Sequence, residues 1–267
     1  MANTVYDNFY LSNEIEDQFK SHLDLMRFCK VDNTLEGTPG MIRKVHVYKA
    51  TDGTQKVEKG AGNTKDIQVS FTEKDYTILT AQNRFVYFDE EAMTDPMLIP
   101  TGTRHAATDM FNTINADVFA EFNKATLEVK PTALNFDAFV DAVAKLNFEG
   151  EGGTDAKPEI FGFVNASDTA TLRKNLKDDL KYVEAFARSG YIGTVAGVNL
   201  YTKKDAVTGT VIIGTKDAVT VFNKKGVAVE QERDANIRKN SVYSRKYYVA
   251  ALTDATKAVK ITVTPGK

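Results

Sequence analysis

The side chains able to do chemistry are few and scattered. Three histidines, His22, His46 and His105, stand far apart in the chain. None belongs to a His-Glu-x-x-His run, the helical spacing that offers two imidazoles and a general base to zinc. His46 lies between Lys44 and Tyr48 in a strand-like stretch, where a solvated or packed imidazole is the simpler reading. Cys29 is the single cysteine, so no disulfide can close within one chain, and its place beside an amphipathic stretch suits a buried structural thiol. Gly190, Gly193 and Gly197 invite a phosphate loop. Gly-x-Gly-x-x-Gly would need glycine where Ile192 stands, and a Walker loop would need Gly-Lys-Ser or Gly-Lys-Thr at its end. Gly150, Gly152 and Gly153 fail the same tests, and turns at positive φ account for such glycines. Carboxylates pair at Glu90/Glu91 and Asp178/Asp179. Acid–base work needs two carboxyls converging in a cleft with split pKa values; solvated faces or helix ends account for both pairs. No acidic run has the spacing of a calcium loop. No catalytic, cofactor-binding or metal-binding residue is assigned, and no cofactor is expected. A basic cluster, Arg238, Lys239, Arg245 and Lys246, lies close to Tyr243, Tyr247 and Tyr248. Strand alternation sends Arg245 and Tyr247 to one face, Lys246 and Tyr248 to the other. Salt bridges across a subunit boundary explain this cluster better than phosphate contacts.

The elements that carry these residues read as a mixed fold. The first amphipathic stretch has Leu11, Ile15, Phe19, Leu23 and Met26 at helical spacing, with charges elsewhere. It must dock on its own body or on a neighbour. A break at residues 33–40 leads into Val- and Tyr-rich residues 41–50. A polar stretch, Thr51 to Asp66, holds Val57 as its single large apolar residue; Ile67, Val69 and Phe71 then alternate with polar residues. This predicts two long antiparallel strands with a wide tip. Two strands are not stable alone, so the arm is expected to lie on another surface. Tyr76 to Phe88 reads as strand. Behind Pro96 and Pro100, residues Ala107, Phe111, Ile114, Val118, Phe122 and Ala125 predict a helix from about residue 104 to 126, with Thr101 or Thr103 as N-cap.

After Pro131, a helix over 136–146 behind Asn135 is expected, then a strand over 159–164 and a helix capped by Ser167 running to about Leu180. A turn at 188–194 leads to strands over 195–201, 211–214, 218–222 and 226–229. Residues 242–252 and 258–263 read as a terminal hairpin returning towards the long helix. No internal repeat is visible.

Composition bounds the rest. The 267 residues carry 34 Lys+Arg and 36 Asp+Glu, a net charge of −2, with 42% hydrophobic residues, 17 Gly and 6 Pro. This excludes collagen, low complexity and coiled coil, and is a poor match to a general nucleic-acid binder. The start lacks the basic and apolar regions of a signal peptide, and no apolar run approaches a membrane span. The expectation is a soluble cytoplasmic chain without membrane contact.

The order of elements resembles the major capsid proteins of tailed bacteriophages, the Hong Kong 97-type fold. The stretches that carry the resemblance are Pro96 to Thr126, Gly190-Tyr191-Ile192-Gly193-Thr194-Val195-Ala196-Gly197-Val198, and Tyr247-Tyr248-Val249-Ala250-Ala251-Leu252 through Ile261. The resemblance implies an α+β capsid fold. Residues 1–36 would be an N-terminal arm reaching neighbours and 37–75 an extended loop overlapping the adjacent subunit. Residues 76–131 would be a peripheral domain with its spine helix, 132–237 an axial α/β domain, and 238–267 C-terminal strands returning to the peripheral domain.

Leu11, Ile15, Phe19, Val57, Lys59, Arg245 and Lys246 are the expected subunit-interface residues. Many copies would form pentamers and hexamers of a virion shell around double-stranded DNA, without sequence-specific contact. A portal protein, a separate scaffolding protein and decoration proteins are the further partners implied, with assembly in the host cytoplasm. Lys56, Lys59 and Lys65 lie near the loop tip, but nothing marks a cross-linking partner, so none is predicted. Two other readings stay open: an encapsulin-like nanocompartment shell, distinguished by its cargo, and a soluble α/β enzyme, which would need a convergent polar cleft.

Overall fold

The computed structural model describes residues 23–147, 158–177 and 193–264, with backbone alone at 46–50 and 72. Leu11, Ile15, Phe19, His22, Gly150, Gly152, Gly153, Asp178, Asp179, Gly190 and Ile192 lie outside the described residues. The elements run β1 (Lys30–Asp32), β2 (Ile42–Ala50), β3 (Val69–Thr77), β4 (Leu79–Phe88), α1 (Asp89–Thr94), α2 (Leu98–Phe122), β5 (Leu127–Val129), α3 (Phe136–Lys145), β6 (Ile160–Val164), α4 (Ala166–Asn175), β7 (Thr194–Val195), β8 (Val198–Thr202), β9 (Thr210–Thr215), β10 (Val219–Asp234), β11 (Lys239–Leu252) and β12 (Ala258–Thr262). They form two compact units. One holds Ile114–Val219 with the segments that end at Lys30 and begin at Asp254; the other holds Val31–Thr113 and Thr220–Thr253.

The first unit is built on a six-stranded mixed sheet in the order β5-β12-β9-β6-β8-β7. Its central strand β6 reads Ile-Phe-Gly-Phe-Val, apolar throughout, as a strand covered on both faces must be. Phe161 and Phe163 point one way. Their rings stand 5.6 Å from Phe122 of α2, and 4.7 and 5.3 Å from Phe28. Val164 points the other way, into a cluster with Phe139 and Ala142 of α3, Leu172 of α4, and Ile213, Val259 and Ile261 of the sheet. Asn135 starts α3 by accepting a hydrogen bond from the Ala138 amide, and Asn165 starts α4 by accepting from the Ser167 amide. Between β7 and β8, Ala196 and Gly197 both take positive φ, 50° and 81°, the geometry of a two-residue hairpin turn whose twist matches its strands.

The second unit holds a four-stranded sheet, β1-β10-β11-β4, and the two-stranded β2-β3 ribbon. The opening turns of α2 pack on β4. Gly102 makes this possible, because a Cβ there would sit 2.2 Å from the Phe85 ring. Asn83 of β4 donates to the Ala106 carbonyl at 2.6 Å.

Several expectations are corrected at this level. The long helix starts at Leu98 rather than near 104, with Pro100 in its first turn, where no intrahelical donor is needed. The Thr101 amide already donates to the Met97 carbonyl, so neither Thr101 nor Thr103 is a cap. Ile114, Val118 and Phe122 are buried as expected. Ala107 is exposed, Ala125 lies past the helix end, and Met110, Asn115 and Phe119 complete the buried stripe. Tyr76 to Phe88 is two strands, split at Ile78, whose amide donates to the Met41 carbonyl at 2.7 Å. The strands expected at 218–222 and 226–229 are one sixteen-residue strand running through Gly226.

At α4 the cap is Asn165, not Ser167, and this helix ends at Asn175, while residues 178–180 of the expected helix lie outside the described residues. β11 and β12 do not form a hairpin: β11 pairs with β4, whereas β12 pairs with β9 and β5. Near the start, the Leu23/Met26 stripe gives way to a 3-10 turn over Leu25–Phe28 capped by Asp24. It buries Leu25 and Phe28 and leaves Leu23 and Met26 half-buried.

Candidate assembly interface

The β2-β3 ribbon is the element with the least apparent support. Its register runs from Ile42↔Thr77 to Ala50↔Val69. Period-two alternation therefore sorts Arg43/Tyr76 and Val45/Lys74 to one face, and Ile42/Thr77, Lys44/Asp75, Phe71 and Val69 to the other. The first face is held at its base. Tyr76 Oη donates to the Leu252 carbonyl at 3.2 Å and its ring stacks on Phe222 at 6.5 Å. The Arg43 guanidinium lies 5.4 Å over the same Phe222 ring and 3.7 Å from Asp32.

The second face is open. Ile42 and Phe71 are each 58% exposed, and Val69 63%. Among them Lys44 Nζ lies 3.3 Å from Glu73 Oε2 and 3.9 Å from Asp75. The Glu73 hydrogen bond, then the charges of Asp75 and Glu73, hold its ammonium above the usual lysine range. Exposed apolar side chains in a row, flanked by charge, mark a surface that another molecule covers.

The tip, residues 51–68, has its own internal bonds. Asn63 Nδ2 donates to the Gly53 carbonyl at 3.1 Å, and the Gln68 amide donates to Thr51 Oγ1 at 2.9 Å. Val57 and Lys59 are exposed there, and so is Ile67. The sequence reading assigned Val57 and Lys59 to an interface but passed over Ile42, Ile67, Val69 and Phe71. Their alternation was visible; which of the two faces would be left open was not.

Two arginines of the basic cluster have carboxylate partners within the second unit. Arg245 is satisfied within its own sheet. Its Nη1 bonds Glu230 Oε2 and its Nε donates to Gln82 Oε1, both at 2.9 Å. Lys246 projects to the opposite face, with its Nζ 5.8 Å from the Tyr248 ring centroid. Arg238 pairs with Glu90, and Arg233 Nη2 and Asn240 Nδ2 both donate to Asp89 at 2.7 Å. The Arg233 and Asn240 hydrogen bonds hold the Asp89 carboxyl below the usual range. Glu91 accepts from the Phe88 amide at 3.1 Å. The Glu90/Glu91 pair thus has structural partners.

Cys29 is buried, and its Sγ donates to the Leu25 carbonyl at 3.4 Å. Burial pushes its thiol pKa up to about 12, the opposite of what activates a nucleophile. Among the described residues no group of three His, Cys, Asp or Glu side chains could hold a metal ion, and no helix is long and apolar enough to cross a membrane. A cavity of about 610 Å³ in the first unit is lined by Asn135, Phe136, Asp137, Asn175 and Thr194. Among these, Asp137 is the one titratable group, so they offer no acid–base pair.

No known protein-family profile matches the chain. The major capsid protein of Staphylococcus phage phiMR11 is 27% identical over 258 residues, which cover 94% of this chain and 91% of that protein. Among solved structures, the mature capsid of bacteriophage PhiM1 superposes with a TM-score of 0.72 at 12% identity, covering 100% of this chain and 92% of the other. A virus-like particle from Pyrococcus furiosus gives 0.59 at 13% identity, covering 92% and 93%. The chain has the Hong Kong 97-type capsid fold, and over nearly its whole length it is similar in sequence to a phage major capsid protein.

Proposed function

We propose that the chain is the major capsid protein of a tailed bacteriophage, a structural subunit that assembles in many copies into the shell of the virion. The observation that carries this reading within the molecule is the open apolar face of the β2-β3 ribbon. A two-stranded ribbon with Ile42, Val69 and Phe71 facing solvent needs a neighbour to cover it. In this reading residues 1–36 are the arm and 37–75 the loop that overlaps the adjacent subunit. Residues 76–131 and 238–267 form the peripheral domain, and 132–237 the axial domain. Leu11, Ile15, Phe19, Val57, Lys59 and Lys246 contact neighbours. Arg245, already paired with Glu230, contributes to the boundary through the sheet it braces.

The shell encloses double-stranded DNA without reading its sequence, is assembled in the host cytoplasm, and works with a portal and a separate scaffolding protein; decoration proteins are a further partner class. The role is structural, without catalysis. Many modest contacts suffice in such an assembly, because releasing one subunit breaks several at once.

The test is to express the chain alone and with candidate scaffolding partners, then image it by electron microscopy beside a light-scattering mass. Closed shells, or pentamers and hexamers, are expected. A monomer near 29.5 kDa under every condition overturns the reading. The likeness to the Pyrococcus furiosus virus-like particle supports a second reading, a nanocompartment shell. Enclosed protein cargo instead of DNA would select it.

A further inference from the structure

A groove of about 590 Å³ opens in the second unit where the connection from β1 to β2 passes β10 and β11. Pro39, Met41 and Tyr247 line it with apolar surface, and Met41 is 43% exposed. Lys224 and Lys225 stand at its side. Lys224 Nζ reaches Thr38 Oγ1 at 3.5 Å, and no carboxylate among the described residues forms an ion pair with either lysine. The groove is thus cationic beside an apolar floor, and the described chain does not fill it. Its size falls within the range of cavities that take up several apolar groups.

Residues 1–22 have the complementary chemistry. Asp7, Glu14, Glu16 and Asp17 stand against Lys20 alone, an acidic excess, and Leu11, Ile15 and Phe19 recur every four residues. An acidic segment with an apolar stripe is what a lysine-flanked apolar groove selects. We propose that residues 1–22 of one copy seat in the Pro39/Met41/Tyr247 groove of a second copy. The stripe lies on the groove floor and Glu14, Glu16 and Asp17 meet Lys224 and Lys225. This rests on the shell reading, which brings copies side by side, and adds the surface that receives the segment.

The test co-assembles two populations of full-length chain, one carrying L11C, I15C or F19C and the other M41C. Neither can form the intended bond within one molecule. The native thiol adds no background, because Cys29 is buried with its pKa pushed up to about 12. After mild oxidation of purified particles, a disulfide-linked heterodimer is expected for at least one of the three pairs. Adding K224E and K225E to the M41C chain should lower its yield at least tenfold, and adding E14K and D17K to the partner should restore it. Particles of normal form without a heterodimer for any pair overturn the docking proposal and leave the shell reading intact. Absence of particles from unsubstituted chain overturns the shell reading itself.

Discussion

Asn115 shows how one polar side chain in an apolar stripe can fix a whole segment. It is buried on α2, where periodicity calls for a hydrophobe, and it spends both halves of its amide on a single turn of chain. Its Oδ1 accepts from the Leu25 amide at 3.0 Å and its Nδ2 donates to the Leu23 carbonyl at 3.1 Å. Asn115→Leu keeps the branched shape but orphans both groups, so a loss of about 1–3 kcal/mol is expected. Chemical denaturation of the unassembled subunit reads it; an unchanged midpoint would mean that the turn finds other partners.

Asp89 is a second residue whose worth depends on its neighbours. Its folded pKa is depressed, so its contribution is present above the ordinary aspartate value near 3.9 and is lost as pH falls through the lowered folded value. Asp89→Asn should therefore melt below the native chain at pH 7, with the gap closing as pH drops below about 4. A gap independent of pH would show that shape, not charge, matters there. Neither role was legible in the sequence. Their partners lie so far along the chain that they leave no local trace.

At the scale of elements, legibility followed the source of each element's stability. α3 was readable to within a residue, because Asn135 and the apolar spacing behind it are local signals. α2 was read correctly in kind but begun six residues late and carried four too far, its start displaced because Pro100 was taken as punctuation when it is compatible with a first turn. β10 was broken over the polar run 223–225, which its neighbours in the sheet hold in strand all the same. Ile114 lies in the buried stripe of the long helix, 7% exposed. Ile114→Asp places a carboxylate there without a partner, a cost that rivals the whole margin of a typical domain. Insoluble or protease-sensitive protein is the expected result, and a soluble folded variant would show that this part of the helix has room to adapt.

The ribbon makes the opposite prediction. Deleting residues 53–62 removes much of the tip but no strand, so circular dichroism and melting of the subunit should hardly change while particle yield falls. Normal particles would remove the tip from the assembly.

For the molecule as a whole, the sequence told which class of fold to expect but not which sheet each terminal strand joins. The terminal strands illustrate the difference. They look like a hairpin because they are adjacent and alternate, yet each completes a different sheet. The start of the chain carries a similar lesson for truncation. The sequence suggested one arm over residues 1–36. The structure buries Leu25, and it buries Phe28 beside Phe161 and Phe163, so the dispensable part stops earlier. Removing residues 2–22 should leave a folded subunit that assembles into weaker particles, whereas removing 2–30 should cost the fold itself. Size exclusion and thermal melting of the two truncations separate the cases, and equal behaviour would contradict the packing at Phe28.

The placement of β12 also bears on timing. It lies between β5 and β9, and the Thr262 hydroxyl meets the Glu128 carboxylate across 134 residues of sequence. Both neighbouring strands leave the ribosome long before it does. Until β12 emerges, β5 has no partner, and the edge of β9 that will receive it stays bare. A nascent chain therefore cannot present a finished subunit to a growing particle, however crowded the polysome, and the step that admits a subunit to assembly falls after the synthesis of residue 262.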